Sequence, residues 1–133
     1  MVTRAYFARR FLALKLLRGA LVAGALYDAG LAALFLWLPV SAVALLGLGA
    51  APTPPVAGLA SIWLAMLAAL GVATARDFRR YSAVIAALIG GRVAAAIVLA
   101  SGAIAAGPLP LWLALWNSVL AVTLAAAWWP QRG

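Results

Sequence analysis

Residues 19–38 read GALVAGALYDAGLAALFLWL, and Pro39 follows. Twenty helical residues rise about 30 Å, the thickness of a bilayer's hydrocarbon core. The stretch lacks the alternation of period two that a barrel strand shows over about ten residues. A helix also satisfies its backbone donors and acceptors internally, as lipid requires. The segment therefore predicts a membrane-spanning helix with one carboxylate, Asp28, near its middle. A basic start followed by an apolar run also describes a signal peptide. Here the run is too long for a signal's apolar region and Asp28 interrupts it. A cut near residues 49–51 would leave Pro52 just beyond it. The segment reads as a retained span.

Three further apolar segments match it in length, at about 56–75, 82–106 and 109–129. The composition agrees. The chain has 133 residues, enough for one domain, with 68% hydrophobic and 9% charged side chains. A soluble domain is about half apolar and about a quarter charged. This composition cannot cover a water-facing surface, and disordered chains are poor in apolar residues. No internal repeat is apparent. The expected fold is all-α, a polytopic membrane protein forming a single four-helix antiparallel transmembrane bundle over residues 1–133.

The breaks between segments have chemical causes. Pro39 ends the first helix, and Pro52, Pro54 and Pro55 interrupt the chain before the second. Arg76-Asp77-Phe78-Arg79-Arg80 separates the second from the third, with Asp77 placed to neutralise Arg76 or Arg80. Gly107-Pro108-Leu109-Pro110 leaves room only for a tight turn between antiparallel neighbours. Residues 40–51 are apolar but too few to cross, so they form either an interfacial helix or a packed loop.

Net charge is +8. In a soluble protein that would suggest nucleic acid, but the positions point to topology. Arg4, Arg9, Arg10, Lys15 and Arg18 precede the first span, Arg76, Arg79 and Arg80 lie between the second and third, and Arg132 follows the fourth. The other two connections carry no charge. The positive-inside rule then places both termini and the middle loop in the cytoplasm. Trp37 and Trp112 fall near the outer interface; Phe78, Tyr81, Trp128 and Trp129 fall near the inner one. The basic residues outside the spans are expected to contact anionic lipid headgroups, each worth about 1 kcal/mol near the surface. Residues 1–18 read as a cytoplasmic extension of the first helix at or near the interface.

Three strongly polar side chains fall inside the spans. Asp28 lies roughly 14 Å from the inner edge, Arg92 roughly 15 Å and Asn117 roughly 16 Å, at 1.5 Å per residue. They come from three different helices yet share one plane near mid-membrane. A lone charge there costs about 2.5–3.5 kcal/mol on insertion scales. Arg offers a planar fork that fits a carboxylate bidentately. The sequence thus predicts an Asp28–Arg92 ion pair, with Asn117 donating to Asp28 and accepting from Arg92. The cluster is either structural glue or a ligand or transport site.

Ala20, Gly24, Asp28 and Ala32 share one helical face, and Ala83, Ala87, Gly91 and Ala95 form a similar stripe beside Arg92. Small residues let another helix approach closely, so Gly90 and Gly91 are expected to receive one. Tyr27, Trp63, Met66 and Trp116 are placed to line a cavity or to pack. Ser41, Thr53, Ser61, Ser82, Ser101 and Thr123 lie near helix ends or bond to their own backbone, and none reads as a nucleophile.

The chain has no Cys, no His and no Glu, and only two Asp. That excludes disulfides, Cys/His zinc sites and His-ligated haem. Asp28 and Asp77 stand about half a membrane apart, too far to form a dyad. No phosphate-binding Gly loop or Ser/His arrangement occurs. No metal, cofactor or catalytic residue is expected.

Tyr27-Asp28 with Gly30, the Pro-rich outer loop, Ala75-Arg76-Asp77, Gly91-Arg92 and Asn117 together resemble a large group of small, uncharacterised bacterial four-helix membrane proteins, loosely similar to DoxX-like proteins. In that group the third-helix position is usually Lys and the fourth-helix one Asp, so Arg92 and Asn117 depart from both. The resemblance implies the four-helix fold, the polar trio and a bacterial inner membrane, and it supplies no activity. Small multidrug transporters share four helices and an acidic residue in the first. Their carboxylate is a free Glu, whereas Asp28 has an Arg at matching depth. Small fluoride channels have signature residues that this chain lacks. The expected function is non-enzymatic: a structural or accessory membrane subunit packing with itself or with another membrane protein, and with no nucleic acid. The alternative is a small transporter or channel with Asp28, Arg92 and Asn117 at its site.

Overall fold

The computed structural model describes residues 3–47, 53–106 and 108–131. It is all-α among these residues. Helix α1 runs Thr3–Trp37, α2 Pro39–Leu46, α3 Pro54–Arg76, α4 Ser82–Ala106 and α5 Pro108–Trp128, followed by a 3-10 turn at Trp129–Gln131. Helices α1, α3, α4 and α5 are each long and apolar enough to cross a membrane. The all-α polytopic fold expected from the composition is what the chain adopts.

The helix limits follow the prolines. The chain breaks at Leu38, and Pro39 opens α2 at a position where a missing N–H costs nothing. Pro54 opens α3 in the same way after extended Thr53. Pro108 opens α5 directly after the α4–α5 connection, while Gly107 lies outside the described residues. So do residues 48–52, which hold Pro52 and the start of the Pro-rich loop, and Arg132.

Two boundaries refine the sequence reading: the basic segment extends the first helix as expected, and residues 39–46 take the helical of its two alternatives. First, α1 begins at Thr3, so the basic segment continues the span without a joint. Nothing in it breaks a helix: it is rich in Ala, Leu and Arg, all strong helix formers. Second, residues 39–46 form a helix of eight residues. Gly47 ends it in the left-handed conformation (φ 66°), its N–H donating to Ala44 and Val43 carbonyls. Ala42, Val43 and Leu46 are buried, so α2 folds back onto α1 and α5.

Packing is uneven. Helix α1 lies mainly against α3 and secondarily against α5, while α4 lies mainly against α5. Helices α3 and α4 barely meet, although they are consecutive. The order around the assembly is therefore α3, α1, α5, α4, with an opening between the two ends. Helices α1 and α5 are the more buried, α3 and α4 the more exposed. The tightest seam is between α1 and α3, where Gly71 faces Ala25. A Cβ on Gly71 would come within 3.2 Å of the Ala25 Cβ and 3.4 Å of the Leu21 carbonyl oxygen. Ser61 of α3 adds a bond across this seam, donating to the Ala32 carbonyl at 2.8 Å. Ser61 thus bonds to a neighbouring helix, where bonding to its own backbone was the expected use of such a hydroxyl. Thr74, Ser101, Ser118 and Thr123 serve their own helices, donating to Leu70, Val98, Ala114 and Val119 carbonyls.

The core forms two apolar layers. One gathers Leu17, Leu21, Ile85, Leu120 and Leu124 with Ala residues around them. The other gathers Leu31, Phe35, Val43, Leu46, Leu99 and Ala114. On α1, α4 and α5 alike, the polar residue of the sequence reading falls between the two layers.

Candidate functional site

Asp28, Arg92 and Asn117 meet. Asp28 is 3% exposed, Arg92 8% and Asn117 0%. Arg92 Nη1 donates to Asp28 Oδ1 at 2.9 Å, and Nη2 donates to Asp28 Oδ2 at 2.6 Å. This is the bidentate fork that the planar guanidinium and carboxylate permit. It is the sole ion pair among the described residues. Nη1 also donates to Asn117 Oδ1 at 3.2 Å, and Nη2 to the Gly24 carbonyl at 3.0 Å.

One expected bond differs. The Asn117 amide does not donate to Asp28, whose two oxygens already hold the fork. Asn117 Nδ2 donates instead to the Tyr27 hydroxyl at 3.2 Å and to the Leu113 carbonyl at 2.9 Å. Tyr27 is thus a fourth member of the cluster, and the Arg92 guanidinium carbon lies 5.3 Å from its ring centroid. The adjacency Tyr27-Asp28 signalled this, since neighbours on a helix point about 100° apart and both can border one cluster. No buried side-chain nitrogen or oxygen among the described residues lacks a partner.

Arg92 reaches α1 by its length. The α4 backbone barely approaches α1, and the guanidinium fills the space between them. The small-residue face of α1 accommodates it. A Cβ on Gly24 would stand 2.9 Å from Nη2, so glycine is what lets the guanidinium reach the backbone carbonyl there. Ala20, Gly24, Asp28 and Ala32 are all buried, as the periodicity predicts. The matching face of α4 is not filled by a helix. A Cβ on Gly90 or Gly91 would meet nothing within 4 Å, so no helix among the described residues takes the place that these small residues leave open.

That open face walls a cleft of about 380 Å³. Leu64 and Leu67 of α3 face Ala87, Gly91, Ala95 and Val98 of α4 across it. Tyr27, Asp28, Arg92 and Asn117 border it as the polar part of an otherwise apolar wall. Of the residues expected to line a cavity, only Tyr27 does. Trp63, Met66 and Trp116 are absent from the lining and are 63%, 51% and 42% exposed. They lie on the outward faces of α3 and α5, where an apolar ring or thioether suits hydrocarbon.

No protein-family model matches this chain, and no curated protein or solved structure shows significant similarity to it.

The other basic residues described lie outside this cluster. Asp77 does not neutralise a guanidinium. Its Oδ1 accepts the Arg80 backbone N–H at 3.2 Å and its carbonyl accepts the Tyr81 N–H at 3.3 Å. A carboxylate free to cap its own turn does so at low entropic cost, whereas pairing an exposed Arg fixes a long chain for little gain. Arg4, Arg9, Lys15, Arg18, Arg76, Arg79 and Arg80 are exposed, and Arg10 is partly buried against Gln131. Lys15 Nζ stands 4.7 Å from the Phe11 ring centroid.

Proposed function

We propose that this chain is a non-enzymatic integral membrane protein, a structural or accessory subunit that packs with itself or with another membrane protein. We place it in the bacterial inner membrane, with both termini on the cytoplasmic side, where the basic residues meet anionic headgroups. The observation that carries the reading is the mutual satisfaction of the polar cluster. Asp28 holds both forks of Arg92, and Asn117 spends its amide on Tyr27 and its own helix. A carboxylate held in this way is a poor general base and a poor nucleophile, because the paired guanidinium stabilises its charge and fixes both oxygens. The cluster joins α1, α4 and α5 where backbone packing leaves a gap, which is the work of a clamp.

The test begins with stability. As a clamp, Asp28→Asn leaves a buried guanidinium uncompensated and costs about 3–5 kcal/mol. Asp28→Leu/Arg92→Leu recovers much of that loss. Unfolding in mixed detergent reads both. Native electrophoresis in mild detergent reads the subunit role, and a strictly monomeric, partnerless chain in native membranes would end it.

A second reading, a small transporter or channel, is favoured by the cleft between α3 and α4, because Arg92 and Asp28 border it. On that reading the double Leu variant folds but loses solute flux in liposomes. If Asp28→Asn alters neither stability nor flux, both readings fail.

A further inference from the structure

A second cavity, of about 620 Å³, lies at the end of the molecule where the basic residues gather. Four parts of the fold build it. Arg10 comes from the first turns of α1, Phe78 and Arg79 from the α3–α4 turn, and Ser82, Ala83 and Ala86 from the start of α4. Trp128 and Gln131 close it from the end of α5 and the 3-10 turn.

Its chemistry is one-sided. Among the described residues, two guanidiniums and a hydroxyl line it, and no carboxylate does. Neither Arg10 nor Arg79 has an ion-pair partner among the described residues. Arg10 is also held in place. Its Nε donates to Gln131 Oε1 at 3.4 Å, and Gln131 Nε2 donates back to the Arg10 carbonyl at 3.2 Å. That exchange restrains the side chain at its Nε and leaves Nη1 and Nη2 without a hydrogen-bond partner among the described residues. Asp77, the nearest acid in sequence, is occupied with the Arg80 backbone N–H and does not line the cavity.

Two arginines lining one cavity with no carboxylate among the described residues suit a tetrahedral oxyanion, because each guanidinium presents a donor fork matching two phosphate oxygens. Apart from Gln131, the remaining wall is apolar. Ala83, Ala86 and Trp128 run from the charged rim along the helices toward the apolar layer of Leu17 and Ile85. A basic pocket between helix ends with an apolar wall is the form that headgroup sites take.

We propose that this cavity binds one phosphate group, between Arg10 and Arg79, with Ser82 as a further donor. The group is either the phosphodiester of an anionic lipid or a free phosphate. This differs from general attraction of a basic surface to a membrane, because it is saturable, one per chain, and confined to these residues. It does not depend on the reading of the Asp28–Arg92 cluster, which lies in another part of the fold.

The experiment uses the full chain in neutral detergent. Micelles carrying phosphatidylglycerol, micelles carrying phosphatidylcholine, and inorganic phosphate are each titrated. Native mass spectrometry counts retained molecules, and thermal unfolding reads stabilisation. One phosphatidylglycerol per chain is expected, held at least fivefold more tightly than phosphatidylcholine. Arg79→Gln weakens that binding at least fivefold, while Arg4→Gln, an equal change of charge outside the cavity, weakens it less than twofold, the effect of general surface attraction alone. Arg10→Gln has the same effect as Arg79→Gln if it folds, and Arg79→Gln decides the matter if it does not. Displacement of the lipid by millimolar phosphate assigns the site to free phosphate, and retention assigns it to the headgroup. Equal weakening by Arg4→Gln and Arg79→Gln, or no saturable binding of either probe, overturns the proposal.

Discussion

Asp28 and Arg92 show why a buried charge in this chain is tolerable. Neither is expected alone at mid-membrane, and each supplies the other's missing solvation. Gly24 matters as much as the charges, because it opens the α1 surface to Nη2. Gly24→Ala should therefore cost about 1–3 kcal/mol by overpacking. Detergent unfolding should show the cost shrinking in the Asp28→Leu/Arg92→Leu background, where no guanidinium remains to displace. Equal costs in both backgrounds would place the clash elsewhere. Tyr27→Phe removes the acceptor of an Asn117 amide hydrogen, and the same assay should register a loss of about 0.5–1.5 kcal/mol. The spacing of Asp28, Arg92 and Asn117 within their helices was enough to predict a meeting at one depth. It did not reveal that Asn117 would turn to Tyr27, since that depends on side-chain directions at a three-helix junction.

At the level of elements, the long apolar runs and their prolines made four helices legible. The joints were less so. Residues 39–46 are too short for hydropathy to separate a helix from a loop, and only burial of Ala42, Val43 and Leu46 against α1 and α5 decides it. The α1–α3 seam was legible in neither Ser61 nor Gly71, because nothing in a single helix says which neighbour it meets. Ser61→Ala should cost about 0.6 kcal/mol, a typical value for a polar contact between membrane helices. Gly71→Leu should cost more, since its side chain would enter the space that Ala25 and the Leu21 carbonyl occupy. A Gly71→Leu protein as stable as the parent would mean that α1 and α3 are not in close contact there.

For the whole molecule, the one-sided charge distribution predicts orientation. The natural sequence has no cysteine, so single replacements report cleanly. Arg79→Cys should react with a membrane-impermeant maleimide only after the inner face is opened, and Ser41→Cys should react from the outside; the reverse pattern would invert the topology. The sequence by itself determined that this chain is helical, how many times it can cross, and at what depth its three polar residues lie. These follow from length and hydropathy, which are properties of one segment at a time. Only the tertiary structure decided that α1 and α5 are the inner helices, that α3 and α4 stand apart around a cleft, and that Arg92 spans the gap to Gly24. In lipid every helix face is similarly apolar, so hydropathy does not rank the neighbours. Close packing of small residues and the reach of individual side chains do, and both exist only once the helices are side by side.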